Sequence, residues 1–565
     1  MNSGTGLRCW VRLFAVVIPF GGMLPARADL SVVNGDFSDL SGLVATQDQW
    51  CGGCPAGWLI LGRSAYAVHA ARGPTPPTCN VQGLGFVYQH LGVLSTDSDV
   101  TVTFDVSEPW RTNSLLRAWM MDGDFRILAR SDAAPGERGE LVARAVPAGT
   151  AIVIGFSAVR GNPGLDNVRV ATGRASRPAE RKTPIPGEVT VACYYFPNYH
   201  PTDARNRQLK GPNWSEWELV RAACPRFPNH AQPKVPRWGY EDESDPVVMA
   251  RKIAAAADHG IGVFIFDWYY YDDGPFLERA LDQGFLCATN NHRIRFALMW
   301  ANHDWKDIHP LCKGHTPAVL YPGRVKPETW ERITDLVIQR YFKHPSYWTL
   351  GGCPYFSFYD LTRLLESFGS VQATRAALDR FRAKARAAGF PGVNLNAIVW
   401  GRTVLPGEQV PADPVALVRE LGFDSVGSYV WVHHVALPEL VTDYDRARDA
   451  YLWYWNEAEG KFPVPYHPNI TMGWDPSPRT CQKDPYGPYG YPFTNTIGGN
   501  TPERFRVALE IARRRLMDRL PEQRVVTINA WNEWTEGSYL EPDTVHGFGY
   551  LEAIRSVFGG QNGNQ

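Results

Sequence analysis

Residues 260–300 read GIGVFIFDWYYYDDGPFLERALDQGFLCATNNHRIRFALMW. Gly262 opens the run VFIFDW, short, apolar and rich in the β-branched and aromatic residues that favour strands. Residues 275–285 then switch to helical spacing, and Arg295 opens a second apolar run, FALMWA. Strand, helix, strand, with neither strand showing a polar face, is the repeating unit of a parallel sheet covered by helices on its faces. The unit recurs on both sides of this stretch. Strands are predicted to begin at Thr190, Gly262, Arg295, Pro354, Asn394, Ser425, Asn469 and Arg524. Helices are predicted at 246–259, 275–285, 327–342, 371–388, 415–421, 444–458, 502–520 and 550–558. Eight such units predict a (β/α)8 TIM barrel over 188–565, with long loops at 197–245 and 475–500 building its active face.

Before the barrel the pattern is different. Residues 29–173 consist of short alternating runs such as VTVTFDV at 100–106, separated by Gly, Asp, Asn and Pro, which predicts an N-terminal β-sandwich of jelly-roll type. The stretch 174–187, RASRPAERKTPIPG, has the charge and proline of a linker. Residues 1–28 carry Arg8 and Arg12, a short apolar run from Leu13 to Leu24, and Ala26-Arg27-Ala28, the features of a secretory signal peptide. A mature chain beginning at Asp29, secreted or periplasmic, is expected, without an integral membrane span once the signal is removed.

The composition narrows the function. Lys and Arg number 57 against 58 Asp and Glu, a net charge of -1, which disfavours nucleic acid or an anionic membrane as the main partner. Trp 20, Tyr 24 and Phe 26 make 12% of the chain, more than a core of this size requires, and the surplus points to flat binding surfaces. Nine of the ten cysteines lie beyond the signal. In an exported protein Cys51, Cys54 and Cys79 are expected to serve a disulfide rather than zinc, and Cys193, inside an apolar strand, to be a buried inert thiol.

Chemistry in such a barrel sits at the carboxyl ends of the strands. Here these ends are aromatic and polar: Tyr194, Tyr195 and His200 after the first; Asp267, Trp268 and Tyr269 at the second; Trp300, Asn302, His303 and Asp304 at the third; Trp531, Asn532, Glu533 and Glu536 at the eighth. Aromatic planes interleaved with carboxylates and amides suit a sugar ring, which is stacked on one face and hydrogen-bonded at its rim. Glycoside cleavage needs two carboxyl groups in different protonation states, and Glu533 and Glu536 supply them, provided the chain turns after Glu533 so that both face one cleft. Gly537 permits such a turn. The spacing alone also fits one of the two as an exposed loop carboxylate or a partner for an Arg, with Glu541 and Asp543 as competitors. No His or carboxylate spacing supports a catalytic metal at His200 or His303, and no cofactor is expected for catalysis.

Tyr194 to His200 (YYFPNYH), Asn213 to Glu218 (NWSEWE), Gln232-Pro233, Gly260 to Phe264, Trp300-Ala301-Asn302 and Ile528 to Asp543 (INAWNEWTEGSYLEPD) resemble the WbsX-like relatives of glycoside hydrolase family 99, in order and across nearly the whole barrel. The resemblance implies a (β/α)8 fold and retaining cleavage of a glycan, of α-mannoside type in family members, through an epoxide-like sugar intermediate. It assigns Glu533 as base on the sugar 2-hydroxyl and Glu536 as acid on the leaving oxygen. Relatives usually read Trp-Ala-Asn-Glu at the third strand, where this chain has His303 followed by Asp304, so the contact made there passes to one of those two. The amino-terminal motifs VNGDF at 33–37 and GLDNVRV at 164–170 resemble carbohydrate-binding jelly rolls, which implies a structural calcium ion near an Asp of the last strand, with Trp50, Trp58, Tyr66 and Trp110 as candidate stacking residues. A polysaccharide or oligosaccharide is thus the expected partner. Glycosyl transfer and non-catalytic glycan binding are the competing classes.

Overall fold

The computed structural model describes residues 30–37, 43–45, 51–53, 57–61, 79–81, 86–107, 113–179 and 188–559. The signal segment, Cys54, Trp50, Tyr66, Trp110, the side chain of Cys51 and residues 180–187 of the expected linker lie outside the described residues.

The barrel strands are β1 (Thr190–Tyr195), β2 (Val263–Tyr271), β3 (Arg295–Trp300), β4 (Cys353–Phe358), β5 (Asn394–Ile398), β6 (Ser425–Gly427), β7 (Asn469–Thr471) and β8 (Val525–Asn529). Each pairs in parallel with its neighbour from β1 to β6, and β8 pairs with both β1 and β7. The remaining side closes through Tyr466–His467, which pairs with β6 just before β7. Pro468 separates these two short pieces because it has no N–H to give a ladder, yet its carbonyl accepts from Thr527 N at 2.9 Å. The strands are buried on both faces, which is why they read as continuous apolar runs. Helices cover the outside, among them Pro246–Asp258, Val371–Ala387, Tyr444–Lys461 and Pro502–Leu516. Their starts follow capping chemistry: Asp245, Ser370, Asp443 and Thr501 each accept from a backbone N–H of the first turn.

Among the described residues nine amino-terminal strands form two antiparallel sheets of five and four strands over a shared core, and Leu43–Ala45 pairs separately with Cys51–Gly53. In Ser98–Ser107 buried and half-buried residues alternate without a break, so Val100, Val102 and Phe104 point into that core. Trp58 belongs there too, packed on Phe37 and donating to Asn34 O, and is not an exposed stacking platform. Strands Phe86–Val93 and Leu115–Asp122 use both faces. Phe86, Tyr88, Trp119 and Met121 turn away from the sandwich core and join the core of the barrel. Phe86 stacks on Trp453 at 4.1 Å, Trp119 meets the same ring edge-on at 4.3 Å, and Tyr88 Oη donates to Asp449 at 3.1 Å. Around this patch run the ion pairs Arg514–Asp124 and Arg126–Asp518. The two units are therefore packed face to face. Among the described residues no helix is long and apolar enough to cross a membrane.

Candidate active site

The last barrel strand sets the site. After Asn529 the chain makes a tight hairpin in which Asn532–Glu533 pairs with Ser538–Tyr539 around a 3₁₀ turn, Trp534–Glu536. Residues three apart eclipse one another in such a turn, so Glu533 and Glu536 come to the same side. Gly537 closes it at φ +64°, where an added Cβ would stand 2.8 Å from Asp475 Cβ. The hairpin is braced from behind. Asn532 accepts from Phe196 N and donates to Phe196 O and to Glu243, while Lys252 bridges Glu243 and Glu541, each at 2.6 Å. Trp531 and Trp534 both donate to Glu541.

Both glutamates are buried, and one guanidinium joins them. Arg479, from the loop after β7, reaches Glu536 at 2.7 Å, Glu533 at 3.1 Å and Glu216 at 2.8 Å. Glu536 also accepts from Tyr491 Oη at 2.7 Å, whereas Glu533 has a longer contact, 3.3 Å, from Tyr429 Oη. Tyr429 Oη also lies 2.9 Å from Asp267, so one hydroxyl hydrogen serves two carboxyl groups. Burial drives the carboxyl of Glu533 well above its ordinary value, and the charge of Glu536 adds to the effect. Burial also raises Glu536, against the pull of Arg479 and Tyr491. Asp267 is pushed well up by burial despite its bond to Tyr429. Burial acts on Glu216 in the same direction, but Arg479 and His309 outweigh it and hold that carboxyl below its ordinary range. The cluster thus has three carboxyls drawn toward the proton, Glu533, Glu536 and Asp267, and one, Glu216, held toward its charge.

Glu533, Glu536, Asp267, Tyr429 and Arg479 line a cavity of about 60 Å³ whose walls include Phe196, Tyr269, His303, Trp305, Tyr359 and Trp474. Of the residues named from the sequence, Glu533, Glu536, Asp267, Tyr269, His303 and Asp304 line it. The others do not, and alternation along the strands explains several. Met299, Ala301 and His303 face inward, so Trp300 stacks outward on Trp330, and Asn302 pins the backbone of Asp360 through two hydrogen bonds. Trp268, between Asp267 and Tyr269, likewise points out against Tyr270 and Tyr341. Tyr194 packs on Tyr429 and donates to Ser428 O; Tyr195 packs on Phe264 and Phe266; His200 pairs with Thr202. Trp531 packs on Phe264, and Asn532 holds the hairpin as described. Burial lowers His303 to about 4, which leaves it neutral at pH 7, and Asp304 is tied to Arg363 at 2.9 Å. Burial also pushes the Cys193 thiol up, so it stays protonated and inert.

Sequence reasoning did not find Arg479, Tyr429, Tyr491 or Tyr359, and it quoted Glu216 only within NWSEWE. A disulfide, Cys312–Cys481, ties the Arg479 loop to the loop after β3. Leu311 N donates to Arg479 O and Cys481 N to Leu311 O beside it.

A family described as Glycosyltransferase WbsX matches residues 191–554, from β1 to the final helix. The chain belongs to the WbsX family. Two uncharacterized WxcX proteins of Xanthomonas campestris pv. campestris are similar to it. That of strain B100 is 28% identical over 397 residues, 67% of this chain and 51% of its own length, and that of a second strain is 28% identical over 384 residues, 65% and 49%. This WbsX-family chain spans about half the length of the curated relatives it matches. Among solved structures, the GH99 endo-alpha-mannosidase from Bacteroides thetaiotaomicron matches at TM-score 0.38 and 14% identity, over 65% of this chain and 95% of its own. The Clostridium thermocellum xylanase 10B CBM22-1-GH10 modules match at 0.30 and 11%, over 89% and 95%.

Proposed function

We propose that the protein is an exported glycoside hydrolase that cleaves a polysaccharide or oligosaccharide with Glu533 and Glu536 as its working pair. One observation carries the reading: two buried carboxyl groups on one turn face an aromatic-walled cavity and share a single guanidinium unequally. Glycoside cleavage requires that one carboxyl hold a proton while the other is ionised. Arg479 and Tyr491 favour charge on Glu536, and burial favours the proton on Glu533. The family resemblance assigns the reacting proton to Glu536. Coupled carboxyls titrate as a pair, so a substrate that draws Arg479 off Glu536 moves the proton to it and leaves Glu533 as base on the 2-hydroxyl. Asp267, Tyr269, His303 and Asp304 are assigned as substrate contacts, with Tyr194, Tyr195, His200, Trp268, Trp300, Asn302, Trp531 and Asn532 acting through the walls they support.

Glu533→Gln and Glu536→Gln each lower turnover by about two to four orders of magnitude with the fold intact, since an amide keeps the shape without the proton chemistry. An activated leaving group restores Glu536→Gln more than Glu533→Gln. Near-normal turnover of both variants on the true substrate sinks the assignment.

The WbsX description favours a second reading, in which the same pair passes the glycosyl unit to a sugar hydroxyl instead of water. Longer products in the presence of an added acceptor identify that outcome. For the amino-terminal unit we propose a carbohydrate-binding jelly roll with a calcium ion at Asp166, whose carboxyl is raised by burial and by the charges of Asp105 and Asp36, an effect a cation would reverse. Thermal melting with calcium against chelator checks it, and identical curves remove the ion.

A further inference from the structure

The catalytic cavity does not end at its walls. Val404, Leu405, Pro406 and Trp474 border it and also border a second, wider groove of about 570 Å³, so a chain held at Glu533 and Glu536 has room to continue there. Along the groove itself the charges are one-sided, whereas the cavity holds Asp267, Glu533 and Glu536 beside Arg479. The groove wall carries Lys313, His315 and Arg402, with Lys306 at the cavity end. Its single carboxylate, Glu408, is buried and already accepts from Tyr359 Oη, Val404 N and Leu405 N at 2.7–2.8 Å. In the cavity Asp304 is neutralised by Arg363. Asp484 accepts the backbone N–H of Lys313 at 2.6 Å without lining the groove. Among the described residues Lys306 Nζ has no hydrogen-bond or ion-pair partner, and Lys313 Nζ has only the ring of Tyr489, 3.8 Å beneath it. Both ammonium groups are therefore free to meet a bound chain. Low-dielectric walls focus such a field onto whatever enters.

We propose that the glycan of this enzyme is acidic, and that the path from the cavity into the outer groove seats its anionic substituents, carboxylate or phosphate, against Lys306 at the cavity end and Lys313 in the groove. The proposal rests on the glycan-cleaving reading and adds its substrate class. Neutral sugars would leave both ammonium groups without a use, while an anion gains charge-assisted hydrogen bonds there at little cost, because no carboxylate has to be displaced.

The test uses the mature full chain carrying Glu533→Gln, run by affinity electrophoresis through gels containing polygalacturonate, phosphomannan, unsubstituted mannan or xylan. Retardation by at least one acidic polymer is expected. It should be lost when salt rises from about 50 to about 500 mM, weaken about tenfold in Lys313→Glu, and persist in Lys313→Arg. The polygalacturonate and phosphomannan arms separate carboxylate from phosphate. Three results overturn the proposal: retardation by neutral polymers alone, acidic binding indifferent to both salt and Lys313→Glu, or no acidic binding. Cleavage of a neutral glycan by the wild-type chain with the same indifference leaves the hydrolase reading standing and removes this one. Acidic binding without any release of reducing ends by the wild-type chain does the reverse.

Discussion

Among the described residues Arg479 is the only cation that touches Glu216, Glu533 and Glu536 together, and Arg479→Met removes it. Its side chain is buried, so the loss is not softened by water, and breaking a buried pair typically costs about 3–5 kcal/mol. The carboxyls can limit that cost by taking up protons. The direction with pH follows from this. In the wild type Glu216 is held below its ordinary value, so it contributes stability that is present above the ordinary carboxylate range and lost as pH falls. Without Arg479 burial is opposed only by His309, Thr535 and Asn198, so its folded value rises and the stability it contributes above the ordinary carboxylate range shrinks. The variant should therefore be destabilised by about 3–5 kcal/mol at pH 8 and by less than about half of that at pH 5. Urea unfolding followed by tryptophan fluorescence at the two pH values measures the difference. Equal losses at both, within about 0.5 kcal/mol, would refute the reasoning that the guanidinium is there to keep buried carboxyls charged.

Glu408, pushed up to about 7 by burial, makes a second pH test. A raised value means stability present below the unfolded value and lost as pH rises through 7, so relative to Glu408→Gln the wild type should lose about 3 kcal/mol between about pH 4.5 and 7.5; parallel pH profiles would contradict it. Trp453→Ala should cost about 3 kcal/mol and make the amino-terminal sheets melt separately from the barrel, because Phe86 and Trp119 both lose their partner ring. A single unshifted calorimetric transition would show the aromatic contact to be incidental.

The strands of the barrel were legible because burial on both faces writes them as unbroken apolar runs, and the hairpin was legible because Gly537 follows Glu536. Orientation within a strand was legible in principle and passed over. Asp267, Trp268 and Tyr269 were read as one cluster, although a period of two sends Trp268 to the opposite face. The same slip explains Trp300 and Asn302. Arg479 was out of reach for another reason: 263 residues separate it from Glu216 and 54 from Glu533, and nothing in local spacing reports a contact made by long loops. The face-to-face packing of the two units was hidden by success of a simpler rule. Phe86 and Tyr88 fit a sandwich strand so well that their outward side went unasked.

Cys312 and Cys481 lie 169 residues apart, so their bond turns β4 to β7 into a closed ring. Glu216 hangs on one tail of that ring, Glu533 and Glu536 on the other, and Arg479 sits just inside the knot. A protease that nicks the ring once, for instance in the exposed stretch about Val410, opens the loop but releases no piece. The cut chain remains one covalent molecule with Arg479 still fastened beside Leu311. A cut that would separate the halves of an ordinary barrel leaves this one able to close again on the same three carboxyl groups.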